Sequence, residues 1–329
     1  MYLAPLNYDR FFKKVFSEPS IAQRFLEDFL SVEIQEFEVF SGLNRVTDDA
    51  ALVEFDYRCK IDNTYVIVDM QQWYKPDIGQ RFYLYHALNS GLQLESLPKK
   101  RLVLDKHTKT LKPVKDYRRL DPVITLVWMA DDRLGFSENY VSYTMLPEAL
   151  SYFLRDGRLW GNAEISELMK RRSSLLELMS NDSKGIGFLA LNRLIFVLQP
   201  NILESDEVRK YVRWFKFAGK TMNSKNREED FEEFRGDVVF EEMIRRLDSR
   251  SLTREDERYL EDERSIWEEM KRYEEGILEE GRKEGREEER AKNRIAMLSL
   301  ARALINSGMD VEKVSSMTGL SPEEIWRER

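Results

Sequence analysis

The segment of residues 53–72 places the strongest constraint on the fold, because it combines the pattern of a β-hairpin with acidic residues on a face expected to be apolar. Two runs rich in β-branched and aromatic residues, 53–61 and 64–72, are separated by Asp62 and Asn63. This pair tolerates the positive φ values that a tight hairpin turn requires. The segment therefore predicts two antiparallel strands joined by a two-residue turn.

The register of this hairpin brings two aspartates opposite each other. With a two-residue turn, Asp56 faces Asp69 and Glu54 faces Gln71 across the strand pair. Like charges directly opposite each other destabilise a sheet, and burial beside the apolar run 66–68 adds a further cost unless something compensates. The pattern therefore marks the two aspartates as candidate functional residues.

Three arrangements would relieve the repulsion between these carboxylates. They could hold a divalent cation, share a proton, or be neutralised by Arg58 and Lys60 in an ordinary surface cluster. Hard oxygen ligands suit Mg²⁺ or Mn²⁺ better than a soft metal, and the chain has only two histidines and one cysteine, without zinc-type spacing. From the local residues alone, the metal site and the surface cluster are equally supported.

A resemblance to a known protein family favours the metal site. The residues that carry it occur in a fixed order: Tyr8-Asp9-x-x-Phe12-Lys13, then Asp56, then Asp69-Met70-Gln71 at the end of an apolar strand, and Arg81-x-x-x-Tyr85 in a predicted helix. In this order and spacing they resemble the Rpn family of recombination-promoting nucleases, also described as transposases, in the PD-(D/E)XK superfamily. The resemblance covers the N-terminal half of the chain, and the tail is similar in style.

The resemblance implies a DNA endonuclease that depends on Mg²⁺ and hydrolyses phosphodiester bonds, in recombination, mobile elements or phage defence. It also implies an α/β core of the restriction-endonuclease type, with a mixed sheet flanked by helices. Asp56 and Asp69 would hold the metal ion, and Gln71, Arg81 and Asp9 would join them in the catalytic site.

Three positions depart from the superfamily pattern. Phe55 stands where the motif name has proline, Asp69 replaces the more usual glutamate, and Gln71 stands where the superfamily has its lysine. Glutamine at this place is familiar in the Rpn group, but it cannot supply a positive charge to the transition state and can only orient water. These departures leave open a second function, a non-catalytic DNA-binding or assembly protein built on a degenerate nuclease fold.

Two predicted helices would bring further polar side chains to the site. Asp9 is predicted to cap a short helix that carries Lys13 one turn later, and a solvated ion pair between these two residues is the simpler alternative. Asp77 is predicted to cap a helix over residues 78–89 that carries Arg81. Arg81 either binds a phosphate group bidentately or clamps a carboxylate of the sheet.

A basic segment follows the predicted site helix. Residues 99–119 include nine Lys or Arg against two Asp, in a chain whose net charge is −8. Such a segment is a candidate surface for a DNA backbone, with Lys99, Lys100 and Arg101 as contacts and Lys13 as a further candidate. A solvated loop is the alternative, and the negative net charge argues against a protein that coats nucleic acid indiscriminately.

The length of 329 residues predicts two or three domains, and 42% hydrophobic residues are ample for a core. Runs 123–129 and 140–145 are predicted strands, which would complete a mixed sheet of at least four strands. Helical patterns follow, including a predicted helix over residues 186–198. The predicted regions are a nuclease-like core at 1–150, a helical subdomain at 151–225, a charged helical or coiled-coil arm at 226–292, and a small helix-turn-helix-like tail at 293–329.

The tail carries clear helix-capping signals. Asp310 is placed to cap one helix, Gly319 to end it, and Ser321 with Glu324 to form a capping box before the last helix. Its apolar residues exceed what so short a segment is expected to bury on itself, so a homo-oligomer formed through these helices is predicted. The acidic last helix argues against sequence-specific contacts with DNA bases.

A cytoplasmic protein with no membrane partner is predicted from the remaining composition, and the resemblance implies that it acts on DNA. No run approaches the ~20 apolar residues of a membrane span, and the first residues lack the hydrophobic core of a signal peptide. Cys59, the one cysteine, is predicted to be a buried thiol on the hairpin face opposite Asp56.

Overall fold

The hairpin predicted from residues 53–72 forms two neighbouring strands of a six-stranded sheet. The computed structural model describes residues 1–40, 43–45, 52–99, 101–105, 108–131, 133–180 and 185–326. Its strands are β1 (Phe37–Phe40), β2 (Leu43–Arg45), β3 (Leu52–Glu54), β4 (Tyr57–Ile61), β5 (Thr64–Gln71), β6 (Arg101–Leu104), β7 (Leu111–Val114), β8 (Val123–Met129), β9 (Tyr140–Thr144) and β10 (Arg193–Leu198).

Thirteen α-helices occur in the described residues, and the chain divides into two compact units, Met1–Glu257 and Arg258–Arg329. The helices are α1 (Asp9–Phe16), α2 (Pro19–Leu30), α3 (Ile78–Leu92), α4 (Glu148–Arg155), α5 (Gly157–Asn162), α6 (Ile165–Ser180), α7 (Phe188–Leu191), α8 (Gln199–Glu204), α9 (Val212–Met222), α10 (Val238–Leu247), α11 (Arg254–Asn306), α12 (Val311–Thr318) and α13 (Pro322–Trp326). Short 3-10 helices lie at Tyr117–Arg119, Glu228–Phe234 and Ser249–Ser251.

The six-stranded sheet is mixed, as predicted. Its strand order is β1-β4-β5-β8-β10-β9, in which β5, β8 and β10 run parallel and the outer pairs are antiparallel. The parallel strands define a carboxyl edge, where they end, and an amino edge, where they begin. Every residue of β8 is buried, as expected for a central strand covered on both faces.

The predicted hairpin register is confirmed where β4 pairs with β5. Ile61 lies opposite Thr64 and Tyr57 opposite Val68, and Asp62 takes a positive φ of 46° in the turn. The first predicted strand is broken, however, because β3 pairs with β2 instead of continuing along β5. Phe55 is buried at this break, and the predicted pairing of Glu54 with Gln71 is therefore wrong.

The last strand of the sheet lies where the sequence predicts a helix. The prediction of a helix over residues 186–198 is wrong for its second half, because Arg193–Leu198 form β10 between β8 and β9. A short buried apolar run is compatible with either structure, and the β-branched Ile195 and Val197 favour the strand. The sheet thus extends beyond residue 150, and the boundary predicted there lies inside the first compact unit.

An aromatic core holds α1 against the sheet. The ring centre of Trp128 in β8 lies 5.8 Å from that of Phe12 in α1, 5.5 Å from that of Phe25 in α2 and 4.2 Å from that of Phe215 in α9. Buried aromatic side chains of this size contribute strongly to stability. Helix α1 begins at Asp9, whose side chain caps no helix N–H, so the predicted capping role is wrong.

The residues after α9 also belong to the first unit. Phe231, Phe234 and Phe240 are buried there, and the Phe234 ring lies 5.1 Å from Phe217 of α9. The sequence assigns these residues to an exposed arm because charged residues surround them. At the start of α11, Asp256 accepts hydrogen bonds from Arg10 and Lys14 of α1, which anchors this turn to the unit.

The capping signals of the tail are confirmed. Asp310 accepts a hydrogen bond from the Glu312 N–H, Gly319 ends α12 with a φ of 70°, and Ser321 and Glu324 bond each other's backbone N–H groups. The tail buries part of its apolar surface on itself, while Met297, Leu300 and Met317 stay exposed, and the predicted self-association stays a prediction. The buried cluster contains Ala301, Val314 and Leu320, with Leu298, Leu304, Ile305 and Met309 packed against it.

Candidate functional site

Asp56 and Asp69 lie beside each other at the carboxyl edge of the sheet. Asp69 belongs to β5 and is 3% exposed, and Asp56 directly precedes β4, one residue beyond the last pair of the hairpin, Tyr57 with Val68. The backbone N–H of Met70 donates a hydrogen bond of 2.8 Å to Oδ2 of Asp56. This bond holds the Asp56 carboxylate against β5, although Asp56 itself lies outside the strand pair.

Burial raises the pKa of both carboxyls. For Asp56, burial is the largest cause, and the negative charges of Asp69 and Asp9 raise the pKa further, while Lys13 opposes them. Burial likewise raises the pKa of Asp69, against the stabilising hydrogen bond from Gln71. Two such carboxylates are stable at neutral pH when they share a proton or have a cation beside them.

Lys13 of α1 reaches the same site. Its Nζ lies 3.1 Å from Asp9 Oδ1, 2.9 Å from Glu54 Oε1 and 3.5 Å from Asp56 Oδ1. Burial acts to lower the pKa of Lys13, but the three carboxylates outweigh burial and raise this pKa, so the side chain is cationic. The ion pair between Asp9 and Lys13 is thus present, and it forms part of a larger charged group.

Gln71 and Arg81 form a hydrogen-bonded chain that ends on Asp69. The Gln71 Nε2 donates to Asp69 Oδ1 at 2.5 Å, and Arg81 Nη2 donates to Gln71 Oε1. Arg81 therefore holds an amide of the sheet, which neither of its two predicted roles describes. Its guanidinium lies 4.8 Å from the Phe82 ring centre, and its buried Nε has no hydrogen-bond partner within the described part of the chain.

The third arrangement considered for the aspartates, neutralisation by Arg58 and Lys60, is wrong. Arg58 Nε donates to Asn89 Oδ1 at 2.7 Å, and its guanidinium lies 5.5 Å from the ring centre of Tyr65. Lys60 pairs with Asp121 at 2.7 Å, near the amino edge of the sheet. Both side chains therefore bind partners other than Asp56 and Asp69.

The donor set suits a hard divalent cation. The described ranges of the chain contain no cluster of three or more His, Cys, Asp or Glu with metal-binding geometry. Mg²⁺ is nevertheless commonly bound through one or two carboxylates while it keeps several waters. Asp56 and Asp69 supply such oxygens, whereas the Cys59 thiol is fully buried and His86 Nδ1 lies 3.1 Å from Thr125 Oγ1.

Sequence reasoning gave one acidic residue near the site the wrong partner and missed a second. Glu54 contacts Lys13, although the sequence pairs it with Gln71. Asp131 follows β8 at the carboxyl edge and accepts a hydrogen bond of 3.2 Å from the Tyr74 N–H. The signal for Asp131 was present, because carboxyl ends of parallel strands meet at one edge and acidic residues follow β8 directly.

The basic segment forms a separate two-stranded hairpin of β6 and β7. Lys99 is exposed, Lys100 lies outside the described residues, and Arg101 begins β6 with a side chain that is also outside them. Downstream, Arg118 is paired with Asp116 at 2.8 Å. The assignment of this segment to DNA binding stays a prediction.

The comparisons with known proteins concern the tail. Residues 294–326 match the family model described as Rpn/YhgA-like nuclease family, C-terminal HTH domain. No curated protein and no solved structure matches the chain. The resemblance to the Rpn family, found in N-terminal motifs, is thus supported at the opposite end of the chain, and the match does not extend to the core.

A membrane span was also sought in the structure. Within the described ranges, no helix combines the length and the apolar character that crossing a bilayer requires.

Proposed function

We propose that this chain is a metal-dependent DNA endonuclease that hydrolyses phosphodiester bonds on a PD-(D/E)XK-like core. The observation that carries the proposal is the pair of buried carboxylates, Asp56 and Asp69, at the carboxyl edge of a mixed sheet with Lys13 and Gln71 in contact with them. Perturbed carboxyls at such an edge are typical of catalytic sites. The match of the tail to a domain of a nuclease family supports the same function.

Asp56 and Asp69 would hold Mg²⁺ or Mn²⁺. When bound, such an ion lowers the pKa of a coordinated water and polarises a phosphodiester. The Asp56 carboxylate is pre-positioned by the Met70 N–H, so ordering it for this task costs little entropy.

Gln71 orients the attacking water in this proposal. Its amide is held at both ends, by Asp69 and by Arg81, so its rotamer is set before substrate arrives. Lys13 supplies the positive charge that a glutamine cannot, because its Nζ lies within the same group of carboxylates. Asp9 and Glu54 position the Lys13 ammonium through their ion pairs.

DNA is the proposed partner, in the setting of recombination, mobile elements or phage defence. Lys99, Lys100 and Arg101 are proposed to contact its backbone. The tail, similar to an HTH domain, is a second candidate for DNA contact, although Glu323 and Glu324 lie in the first turn of its last helix and repel phosphates.

A non-catalytic DNA-binding protein on the same fold is the alternative. It is favoured by the commitment of the Gln71 amide, because Nε2 donates to Asp69 and to the Met70 carbonyl and Oε1 accepts from Arg81, so a single acceptor position is left to orient water. In that case the shared-proton arrangement of the two aspartates would suffice for stability.

Nicking of supercoiled plasmid separates these functions. With Mg²⁺ or Mn²⁺, the wild type should nick the plasmid, and Asp69→Asn should reduce the rate by about 100-fold or more. Asp121→Asn is the matched control, because it neutralises a carboxylate at the opposite edge of the sheet. Plasmid that stays intact at high concentrations of wild-type protein, but is shifted in a gel, would establish the alternative.

A further inference from the structure

Arg58 in β4 is a buried cation whose charge no carboxylate balances within the described part of the chain. It is 8% exposed, and its one hydrogen bond goes to a neutral amide. Lys60, two residues further along the same strand, shows the usual arrangement, because its ammonium lies 2.7 Å from Asp121. Burying a charge is costly unless a group of opposite charge accompanies it. Arg58 therefore lacks a partner that an anionic ligand would supply.

Most of the hydrogen-bonding capacity of Arg58 is unused. Its Nε donates to Asn89 Oδ1 at 2.7 Å, whereas its two Nη nitrogens donate to no described residue and are not sealed from solvent. Burial lowers the pKa of Arg58, opposed by Tyr65 and Cys59, but an arginine in a protein keeps its proton. The two Nη groups therefore present a positive charge and available N–H donors to solvent.

Two aromatic rings and a buried amide hold the guanidinium in place. Its central carbon lies 4.9 Å from the centre of the Phe40 ring and 5.5 Å from that of Tyr65. These rings attract a cation but offer its N–H groups no oxygen acceptor. Asn89 is fully buried, and with its Oδ1 turned to Arg58 its Nδ2 has no partner among the described residues. An unpaired buried amide is costly, so this guanidinium is held in position despite a loss of stability.

Arg58 lies on the same face of the sheet as the candidate site. It pairs with Ile67 of β5, and Asp69 follows Ile67 by two residues, so the side chains of Arg58 and Asp69 project to one face. Along the chain Arg58 is two residues from Asp56, a span of about 6–7 Å in an extended strand. The guanidinium is thus a neighbour of the two aspartates and takes no part in their hydrogen bonds.

A phosphate group is the anion that suits this guanidinium. The planar fork of an arginine donates two parallel hydrogen bonds to two oxygens of one phosphate. A DNA strand with one phosphodiester at Asp56 and Asp69 carries another phosphodiester on either side of it. We propose that the Nη groups of Arg58 bind the DNA phosphodiester next to the one at the two aspartates, an assignment that rests on the proposed DNA substrate.

The salt dependence of DNA binding tests this contact. The full chain is titrated with a short DNA duplex in EDTA, which prevents metal-dependent cleavage, between about 50 and 200 mM NaCl. Each phosphate contact contributes about 0.9 to the slope of log K against log salt concentration. Arg58→Met keeps the length and the packing of the side chain. It should flatten the slope by about 0.9 and weaken binding about tenfold at the lowest salt concentration.

Lys60→Met is the matched control, because it removes the same charge from the same strand. Asp121 already balances the charge of Lys60, so the slope of this variant should equal that of the wild type. Equal flattening by Lys60→Met and Arg58→Met would overturn the specific contact.

Arg58→Lys covers a failure of Arg58→Met to fold. It keeps the positive charge but loses the planar fork, so it should preserve the slope and bind DNA more weakly. Wild-type affinity in Arg58→Lys would overturn the bidentate contact.

Nicking of plasmid with Mg²⁺ is measured separately, so that failure of this contact differs from failure of the proposed function. A chain that never nicks, yet loses about 0.9 of its slope in Arg58→Met, has the phosphate site without the catalysis. A chain that nicks, while wild type and Arg58→Met share one slope, has the catalysis without this site. A wild type that binds no duplex but is stabilised by inorganic phosphate through Arg58 would overturn the DNA assignment and leave free phosphate as the ligand.

Discussion

Replacing Asp56 with asparagine should stabilise the metal-free chain. The substitution preserves the shape of the side chain, and its amide oxygen can still accept the hydrogen bond from the Met70 N–H. What it removes is a carboxylate that is buried beside Asp69. Taking one of two adjacent buried charges away while its hydrogen bond is kept should increase the free energy of unfolding by about 1–3 kcal/mol at pH 8.

The size of this gain should depend on pH in a definite direction. Because burial and the charge of Asp69 raise the pKa of Asp56, the folded wild type binds more protons than the unfolded chain. The contribution of Asp56 to wild-type stability is therefore fully present below the ordinary aspartate pKa of ~3.9 and is lost as the pH rises through the raised pKa. The Asp56→Asn variant lacks this decline, so its advantage should be small at pH 5 and largest at pH 8.

Thermal unfolding with and without Mg²⁺ measures both effects. For a unit of this size about 1 kcal/mol shifts the melting temperature by about 2–4 °C, so without metal the variant should melt several degrees above the wild type. With Mg²⁺ at ~100 times its dissociation constant, the wild type should gain about 2.7 kcal/mol and the variant much less. A variant less stable than wild type at pH 8 without metal would refute the reasoning, and equal responses to Mg²⁺ would place the ion elsewhere.

Three further predictions concern Lys13, the basic segment and Trp214. Lys13→Met should lower the nicking rate at least tenfold without weakening DNA binding in a gel-shift assay, and equal loss of both would make this lysine a DNA contact only. Charge reversal of Lys99, Lys100 and Arg101 should weaken DNA binding and flatten its salt dependence, and unchanged affinity would return the segment to a solvated loop. Trp214→Phe removes the indole N–H that donates to the buried Asp28. The free energy of unfolding measured in urea should fall by about 1–3 kcal/mol. An unaltered unfolding midpoint would show that water replaces this donor.

The choice between a nuclease and a non-catalytic DNA-binding protein depends on Gln71 and Lys13. In the proposed PD-(D/E)XK-like core, Gln71 stands where that superfamily has its lysine, and this substitution is the strongest argument for a non-catalytic protein. The structure brings a lysine from α1 to the same carboxylates, 3.5 Å from Asp56. The missing charge is therefore restored from a different element, which weakens that argument and makes Lys13 the residue to test.

Local chemistry determined the features that the sequence predicted well. The register of β4 and β5 follows from a two-residue turn and a side-chain period of two, both of which are encoded within a dozen residues. The caps at Asp310, Gly319 and Ser321 depend on hydrogen bonds between near neighbours in the chain. These interactions need no distant partner, so the sequence alone specifies them.

Tertiary structure decided the features that join distant segments. Arg193–Leu198 form a strand because β8 and β9 supply hydrogen-bonding partners on both sides. The presence of these partners cannot be deduced from an apolar run alone. Arg58 binds Asn89 and Lys60 binds Asp121, partners that lie about 30 and 60 residues further along the chain. Lys13 reached Asp56 because the aromatic core holds α1 across the sheet. The composition of the site depends on which segments pack together, and that is set by the burial of the whole core.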